Sequence, residues 1–224
     1  MQIHFEKEDT NVVFRISDFD PKYEEVFKLC FYMKDVDTYF KRFPINTPYL
    51  DEIMTHYQAN AHLMFDQVGY FKPVPWEEAL FAFGNKIKVA GIDWWVTGSI
   101  AACIRGISLN PHDVDVMVAS KDVARISDEF SEFIIEPIID TNGWLTRDFG
   151  VIFLHARIDI ASDPVPSLDD PEPIDCGPYA RDHLEEVVWK GLPIKVPPIE
   201  LTLNANRRRE RLDRVKMIEQ FLQS

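Results

Sequence analysis

The sequence predicts an α+β fold: a small mixed β-sheet core with flanking helices, an N-terminal helical region and a C-terminal helix. Three observations lead there. From Trp76 to Ala161, stretches with apolar residues at helical spacing alternate with short apolar runs of strand character. Two strand-like runs then follow one another directly near Gly150, so antiparallel pairing joins the parallel pairing that helical crossovers bring. Proline-rich "FKPVPW" and "DPVPSLDDPEPIDCGP" bracket this stretch. They divide the chain into residues 1–73 (an N-terminal hairpin and helical region), 74–165 (the core) and 166–224 (an acidic loop and C-terminal helical extension).

Each element has a local reason. "QIHFE" and "VVFRI" flank the turn-like "KEDTN" and predict a hairpin. Tyr23, Val26, Phe27, Cys30 and Phe31 recur at helical spacing. In "NTPYLDEIMTHYQANAHLMF", Thr47 is placed as a cap and Pro48 at the first helical position, ahead of Leu50, Ile53, Tyr57, Ala61 and Met64. A helix from Trp76 to about Ala90 presents Leu80, Phe83 and Ile87, and "DWWVTG" is a strand ending at Gly98. "SIAACIRGI" reads as a helix from Ser99, "HDVDVMVAS" as a strand and "KDVARISDEFSEF" as a helix. "GWLTRDF" and "GVIFLHARIDIAS" read as a hairpin turning near Gly150. "RDHLEEVVWKG" reads as a helix, "LPIKVPP" as extended because its prolines exclude a helix interior, and Pro198 to Ser224 as one final helix.

Composition narrows the function. With 224 residues and 46% hydrophobic content the chain can bury a core, and its apolar stretches fall short of a membrane span. "MQIHFEKEDT" lacks a signal-peptide layout, so a soluble cytoplasmic protein is expected. Cys30, Cys103 and Cys176 are too few and too widely spaced for a disulfide framework or zinc site, and read as small buried thiols. The net charge of −13 excludes a broad nucleic-acid surface. Charge is uneven, however: Asp159 to Glu186 is acidic and "NRRRERLDRVK" basic, which leaves room for a local phosphate-binding patch.

The chemistry centres on "HDVDVMVAS". In a strand, Asp113 and Asp115 share one face while Val114 and Val116 point into the core. Two such carboxylates repel unless a cation lies between them, and hard oxygen donors suit Mg²⁺ or Mn²⁺. Asp159, in "HARIDIAS", stands in a matching apolar strand. Three carboxylates on neighbouring strands are the ligand set for two-metal phosphoryl or nucleotidyl transfer. Asp35 and Asp37 share the Asp-x-Asp spacing but lie where helix and loop are the better reading, as solvated groups. A calcium loop is excluded, because Met117 and Val118 stand where a further oxygen ligand and a glycine are required. Gly98-Ser99, fourteen residues before Asp113, adds a turn that lets backbone N–H groups approach a phosphate. Arg105, in the following helix, can reach a phosphate or form a salt bridge. His112 belongs to the rim, Trp94 and Trp95 to the core, and Arg157 and His155 share the strand face of Asp159.

Gly98-Ser99, Asp113-Val114-Asp115 and Asp159 together resemble the polymerase-β-like nucleotidyltransferase superfamily, which includes the kanamycin and lincosamide nucleotidyltransferases. The resemblance covers roughly residues 76–161. It implies that Gly98 and Ser99 contact nucleotide phosphates, that Asp113 and Asp115 hold Mg²⁺ (or Mn²⁺), and that Asp159 completes the second metal site; in some members this third acid also serves as base. The implied donor is a nucleoside triphosphate such as ATP, the acceptor a hydroxyl-bearing small molecule, and the by-product pyrophosphate. The extended segment and basic helix of "GLPIKVPPIELTLNANRRRERLDRVKMIEQFL" are similar to the C-terminal helix of small-molecule members. Asn206 stands where those members often carry Lys, and Asp213 interrupts the basic pattern around Arg211, so a solvated helix face competes with a phosphate role for Arg207, Arg208 and Arg211. A homodimer is compatible with the resemblance. Two other functions compete: nucleotidyl transfer to tRNA or protein, as in toxin-type relatives, and a catalytically silent binding protein on the same fold.

Overall fold

The structure, a computed structural model, describes residues 1–223 and contains two sheets. The first is antiparallel, in the order β1-β2-β4-β3, formed by β1 (Gln2–Lys7), β2 (Asn11–Ser17), β3 (Met33–Asp35) and β4 (Thr38–Pro44). The expected first hairpin is present. The expected helix shrinks to a short turn and α1 (Glu24–Leu29). Asp35 and Asp37 fall at the tip of a second hairpin rather than in helix and loop; both are exposed, as expected, and Asp35 pairs with Arg15 at 3.2 Å.

Helix α2 (Leu50–Val68) begins later than the capping signal suggests. Thr47 Oγ1 donates to the Pro44 carbonyl instead of capping, and Tyr49 takes the position before the helix in the left-handed region. The buried stripe of α2 is the expected one, with Ile53, Tyr57, Ala61 and Met64 at 1% exposure or less. Helix α3 (Trp76–Ala90) matches its expected bounds, because Leu80, Phe83 and Ile87 are its apolar face and Gly91 ends it.

The second sheet is mixed, in the order β10-β11-β5-β6-β9-β8-β7. Its centre is β5 (Trp94–Val96), β6 (Val114–Val118) and β9 (Ala156–Ser162), with α4 (Gly98–Cys103) crossing between β5 and β6. Strands β6 and β9 run parallel and β5 antiparallel to β6. Helix α5 (Val123–Glu129) precedes β7 (Ile134–Asp140), a strand the sequence pattern hides. Its Pro137 and Glu136 interrupt the apolar run. Both are accommodated because β7 is an edge strand whose register slips on either side of Glu136.

The hairpin expected near Gly150 turns instead at His155, with φ 66°, between β8 (Asp148–Leu154) and β9. Gly150 lies within β8, where a Cβ would meet the Ile138 backbone at 2.5 Å. His155 is thus exposed at the turn and does not share the Asp159 face.

The segment expected as a helix before Gly191 contains the short α6 (Pro178–Asp182) and then β10 (Glu185–Trp189), which pairs with β11 (Leu192–Val196). Lys190 (φ 48°) and Gly191 (φ 81°) form the two-residue turn, a hairpin geometry that "WKGL" signals and helical spacing obscures. The single final helix is two, α7 (Ile199–Arg208) and α8 (Leu212–Leu222), broken where Glu210 adopts φ 55°.

One continuous core joins the two sheets through α2 and α3. A smaller cluster packs α4 under α7 and α8 through Ala102, Leu203, Val215 and Ile218. Among the described residues no helix is long and apolar enough to cross a membrane. Cys30 is buried, Cys103 and Cys176 are partly buried, and all three are free thiols.

The seam between the sheets carries a buried polar knot. Glu136 on β7, 1% exposed, pairs with Lys41 on β4 and accepts from Tyr32 Oη at 2.7 Å, while Tyr32 and Tyr57 hydroxyls bond at 2.7 Å. Removing one partner of such a pair strands a charge in the core. Lys41→Met should therefore lower stability by about 3 kcal/mol. In urea denaturation the midpoint should fall with little change in slope. Adding Glu136→Gln should recover most of the loss; a double variant as unstable as the single one would contradict this account.

Candidate active site

Parallel pairing of β6 with β9 sets Asp115 directly opposite Asp159, and Asp113 lies just ahead of β6. Ligand oxygens of Asp113, Asp115 and Asp159 come within 4.8 Å of one another. The alternate residues Val114, Val116, Ile158 and Ile160 are fully buried in the core, so the strand period alone turns the acids to the opposite face.

The cost of this arrangement is visible in the acids themselves. Burial lifts the Asp113 carboxyl above its ordinary range. Asp115 is lifted further, first by burial and then by the charges of Asp113 and Asp159. Asp159 is pushed up to about 6, with burial the main cause and Arg157 opposing it. Arg157, 2% exposed, grips both oxygens of Asp159: Nε donates to Oδ1 at 2.6 Å and Nη2 to Oδ2 at 3.1 Å. The expected proximity of Arg157 to Asp159 thus takes the form of a buried two-point ion pair.

Gly98 has φ 64°, and a Cβ there would collide with Asp115 Oδ2. Only glycine lets the turn after β5 lie against that carboxylate. The Gly98 N–H donates to Asp175 Oδ2 at 3.1 Å, and Thr97 Oγ1 donates to the Asp175 carbonyl at 2.8 Å. Asp175 lies in the acidic loop and is 3% exposed. Burial raises its carboxyl, while Arg209 and the Gly98 N–H pull it back. Nothing in the sequence distinguishes it from the other acids of that loop.

The cleft above the acids measures about 520 Å³ and has Ser99 and His112 at its edge. Facing the carboxylates are Arg209, Arg211 and Arg214, none of which forms an ion pair or side-chain hydrogen bond among the described residues. Burial and the neighbouring Arg214 and Arg209 lower the Arg211 guanidinium. The break between α7 and α8 brings these side chains to the cleft. Arg207 and Arg208 do not join them: Arg207 pairs with Glu219 at 2.6 Å, and Arg208 donates to the carbonyls of Leu168 and Glu172. Arg211 thus lines the cleft rather than a solvated helix face, and Arg209 and Arg214, which nothing in the basic run singles out, join it there.

Arg105 is not brought to the site. Its Nη2 donates to Glu185 Oε2 at 2.5 Å and to the Pro197 carbonyl at 3.0 Å, so it braces the end of α4 against the β10 hairpin. His112 lies on the rim with Nδ1 at 2.7 Å from the Val68 carbonyl and its ring 4.1 Å from that of Tyr70. Trp95 is buried and Trp94 packs edge-on to Phe83 at 5.4 Å, both in the core as expected. Asn206 is also buried, donating to the Thr202 carbonyl at 2.8 Å.

No family model and no curated protein matches the sequence. Among solved structures, the chain is similar to a candidate nucleotidyltransferase of Thermotoga maritima, with 19% identity over 65% of this chain and 91% of that one and a TM-score of 0.46. It is similar to the lincosamide antibiotic adenylyltransferase LnuA with lincomycin bound, with 15% identity over 62% of this chain and 94% of that one and a TM-score of 0.43. It is also similar to ANT(2″)-Ia in complex with adenylyl-2″-tobramycin, with 10% identity over 65% of this chain and 89% of that one and a TM-score of 0.45.

The raised carboxyls make stability depend on pH. A carboxyl that binds its proton more tightly folded than unfolded stabilises the fold below its unfolded pKa, and that contribution disappears as pH rises through the folded value. For Asp159, moving from 3.8 to about 6, the loss amounts to about 3 kcal/mol between roughly pH 4 and pH 6. Asp115→Asn removes one of the repelling charges without orphaning Arg157. In metal-free buffer it should raise the urea midpoint at pH 7.5, by the equivalent of about 1–2 kcal/mol, and the gain should shrink at pH 4.5. A variant less stable than the parent at both pH values would show that Asp115 is held by attraction, not tolerated against repulsion.

Proposed function

We propose that this chain is a metal-dependent nucleotidyltransferase that moves a nucleoside monophosphate from a nucleoside triphosphate to a hydroxyl on a small molecule. The observation that carries the reading is the juxtaposition, across one cleft, of three carboxylates on or beside adjacent strands with three arginines that form no ion pair among the described residues. An acid cluster alone would suit many cations. Paired with a guanidinium wall it suits a polyphosphate, whose charge needs both divalent cations and fixed positive groups.

Asp113, Asp115 and Asp159 fit divalent cations such as Mg²⁺ or Mn²⁺. Their donors are hard oxygens within 4.8 Å of one another; burial lifts all three carboxyls, and the charges of neighbouring acids add to it at Asp115 and Asp159, a load that a bound cation would offset. When bound, such ions lower the pKa of the acceptor hydroxyl and offset charge gathering on the departing pyrophosphate.

The chain's own residues supply the remaining roles. Arg209, Arg211 and Arg214 bind the triphosphate and orient its leaving end. Asp159, held in one orientation by Arg157, takes the proton of the acceptor hydroxyl as that oxygen attacks the α-phosphorus. The bond from the α-phosphorus to the bridging oxygen breaks, and pyrophosphate leaves with the electron pair. The size of the cleft supports a small acceptor. The N-terminal region contributes to its wall through Glu25, Lys28 and Leu29.

The test is transfer of label from α-³²P nucleoside triphosphates, with Mg²⁺, to a panel of hydroxylated compounds, read alongside pyrophosphate release. Asp113→Asn should lower turnover at least about a hundred-fold while circular dichroism stays unchanged. Arg211→Ala should mainly raise the KM for the nucleotide. Full transfer by Asp113→Asn would overturn the assignment.

A further inference from the structure

A second cavity of about 150 Å³ opens beside the carboxylates and shares Gly98, Asp115, Asp159 and Arg209 with the main cleft. Its wall is aromatic. Phe31, Trp144 and Phe149 form three edge-to-face pairs, with centroids 4.8 Å apart for Phe31–Trp144 and 5.9 Å for the other two, and interplanar angles of 76° to 89°. Three rings nearly perpendicular to one another leave faces open on which a further flat ring can stack.

Two of these rings are placed against the usual preferences. Phe31 is 48% and Trp144 42% exposed. Phe31 also adopts φ 63°, in the left-handed region that bulky side chains avoid. Neither feature serves the core, and such strain is typical of positions that meet a ligand. The backbone at Trp144 is nevertheless held: its amide N–H donates to Thr141 Oγ1 at 3.1 Å, and the next carbonyl, of Leu145, accepts from the Val165 N–H at 3.0 Å.

We infer that this cavity receives the base of the nucleoside triphosphate, stacked among Phe31, Trp144 and Phe149; the inference rests on the nucleotidyltransferase reading and deepens it. The space divides accordingly. Arg211 and Arg214 lie only in the main cleft and take the distal phosphates, while Arg209, common to both spaces, stands between phosphates and base. The end of the main cleft at Glu25, Lys28 and Leu29 remains for the acceptor. A volume of 150 Å³ suits one flat ring system. Stacking on aromatic faces tolerates every base, so ATP, GTP, CTP and UTP should bind within roughly ten-fold of one another.

The experiment is calorimetric titration of ATP, and separately of inorganic tripolyphosphate, each with Mg²⁺, into the parent protein, Trp144→Leu and Phe31→Gly. Trp144 is exposed, and glycine relieves the backbone of Phe31, so both variants should fold. The parent should bind ATP at least about ten-fold more tightly than tripolyphosphate. Both variants should lose most of that preference while binding tripolyphosphate as the parent does. If the variants keep the preference, the base lies elsewhere and the inference is overturned, the aromatic cavity being left to the acceptor. Equal binding of ATP and tripolyphosphate by the parent would also overturn it while sparing the nucleotidyltransferase reading. Failure of the parent to bind either probe would remove both.

Discussion

The structure depends on holding three like charges together at the surface of a sheet. The in-register parallel pairing of β6 with β9 puts Asp115 opposite Asp159 with Asp113 alongside, and nothing in the hydrophobic core favours that. The surroundings are consistent with the load. Arg157 neutralises Asp159 from beneath at full burial, Gly98 withdraws its side chain so that Asp115 has room, and three arginines face the cluster from the tail. Repulsion among buried carboxylates is costly, and groups perturbed in this way concentrate at functional sites.

Much of the arrangement reaches the site indirectly. Arg208 and Asn204 on α7 hold the carbonyls of Leu168, Glu172 and Pro173 and so fasten the acidic loop. That loop then delivers Asp175 to the Gly98 N–H. The tail therefore serves twice: its helical part secures the loop, and its break presents Arg209 and Arg211. The N-terminal sheet is drawn in through the buried Glu136–Lys41 pair and the Tyr32–Tyr57 hydroxyls, which join it to β7 and α2. The result places Phe31 and the end of α1 at the edge of the cleft.

Local patterns carried far where one physical preference dominated. Helix α3 and the buried stripe of α2 follow from apolar spacing, and β6 from its alternation of Asp with Val. They failed where two preferences competed. In "EEVVWKGL" the charged and apolar residues fit a helix turn as readily as a hairpin, and antiparallel pairing with β11, itself parallel to β5, decided for strand. In β7, Glu136 and Pro137 disguise a strand because the reasons they are tolerated, Lys41 and an edge position, come from elsewhere in the fold.

By itself, the sequence determined the α+β class and the identity of the acids: a period of two puts Asp113 and Asp115 on one face, and Asp159 stands in a strand of the same character. Only the tertiary structure decided which other residues meet them. Arg157 became a buried partner of Asp159, Arg105 went to a distant brace, and Arg209, Arg214 and Asp175 arrived from segments that composition marked merely as basic or acidic. The reason is range: side-chain alternation acts between adjacent residues, whereas the turn at Glu210 and the loop bound to α7 take their positions from packing between segments remote in sequence.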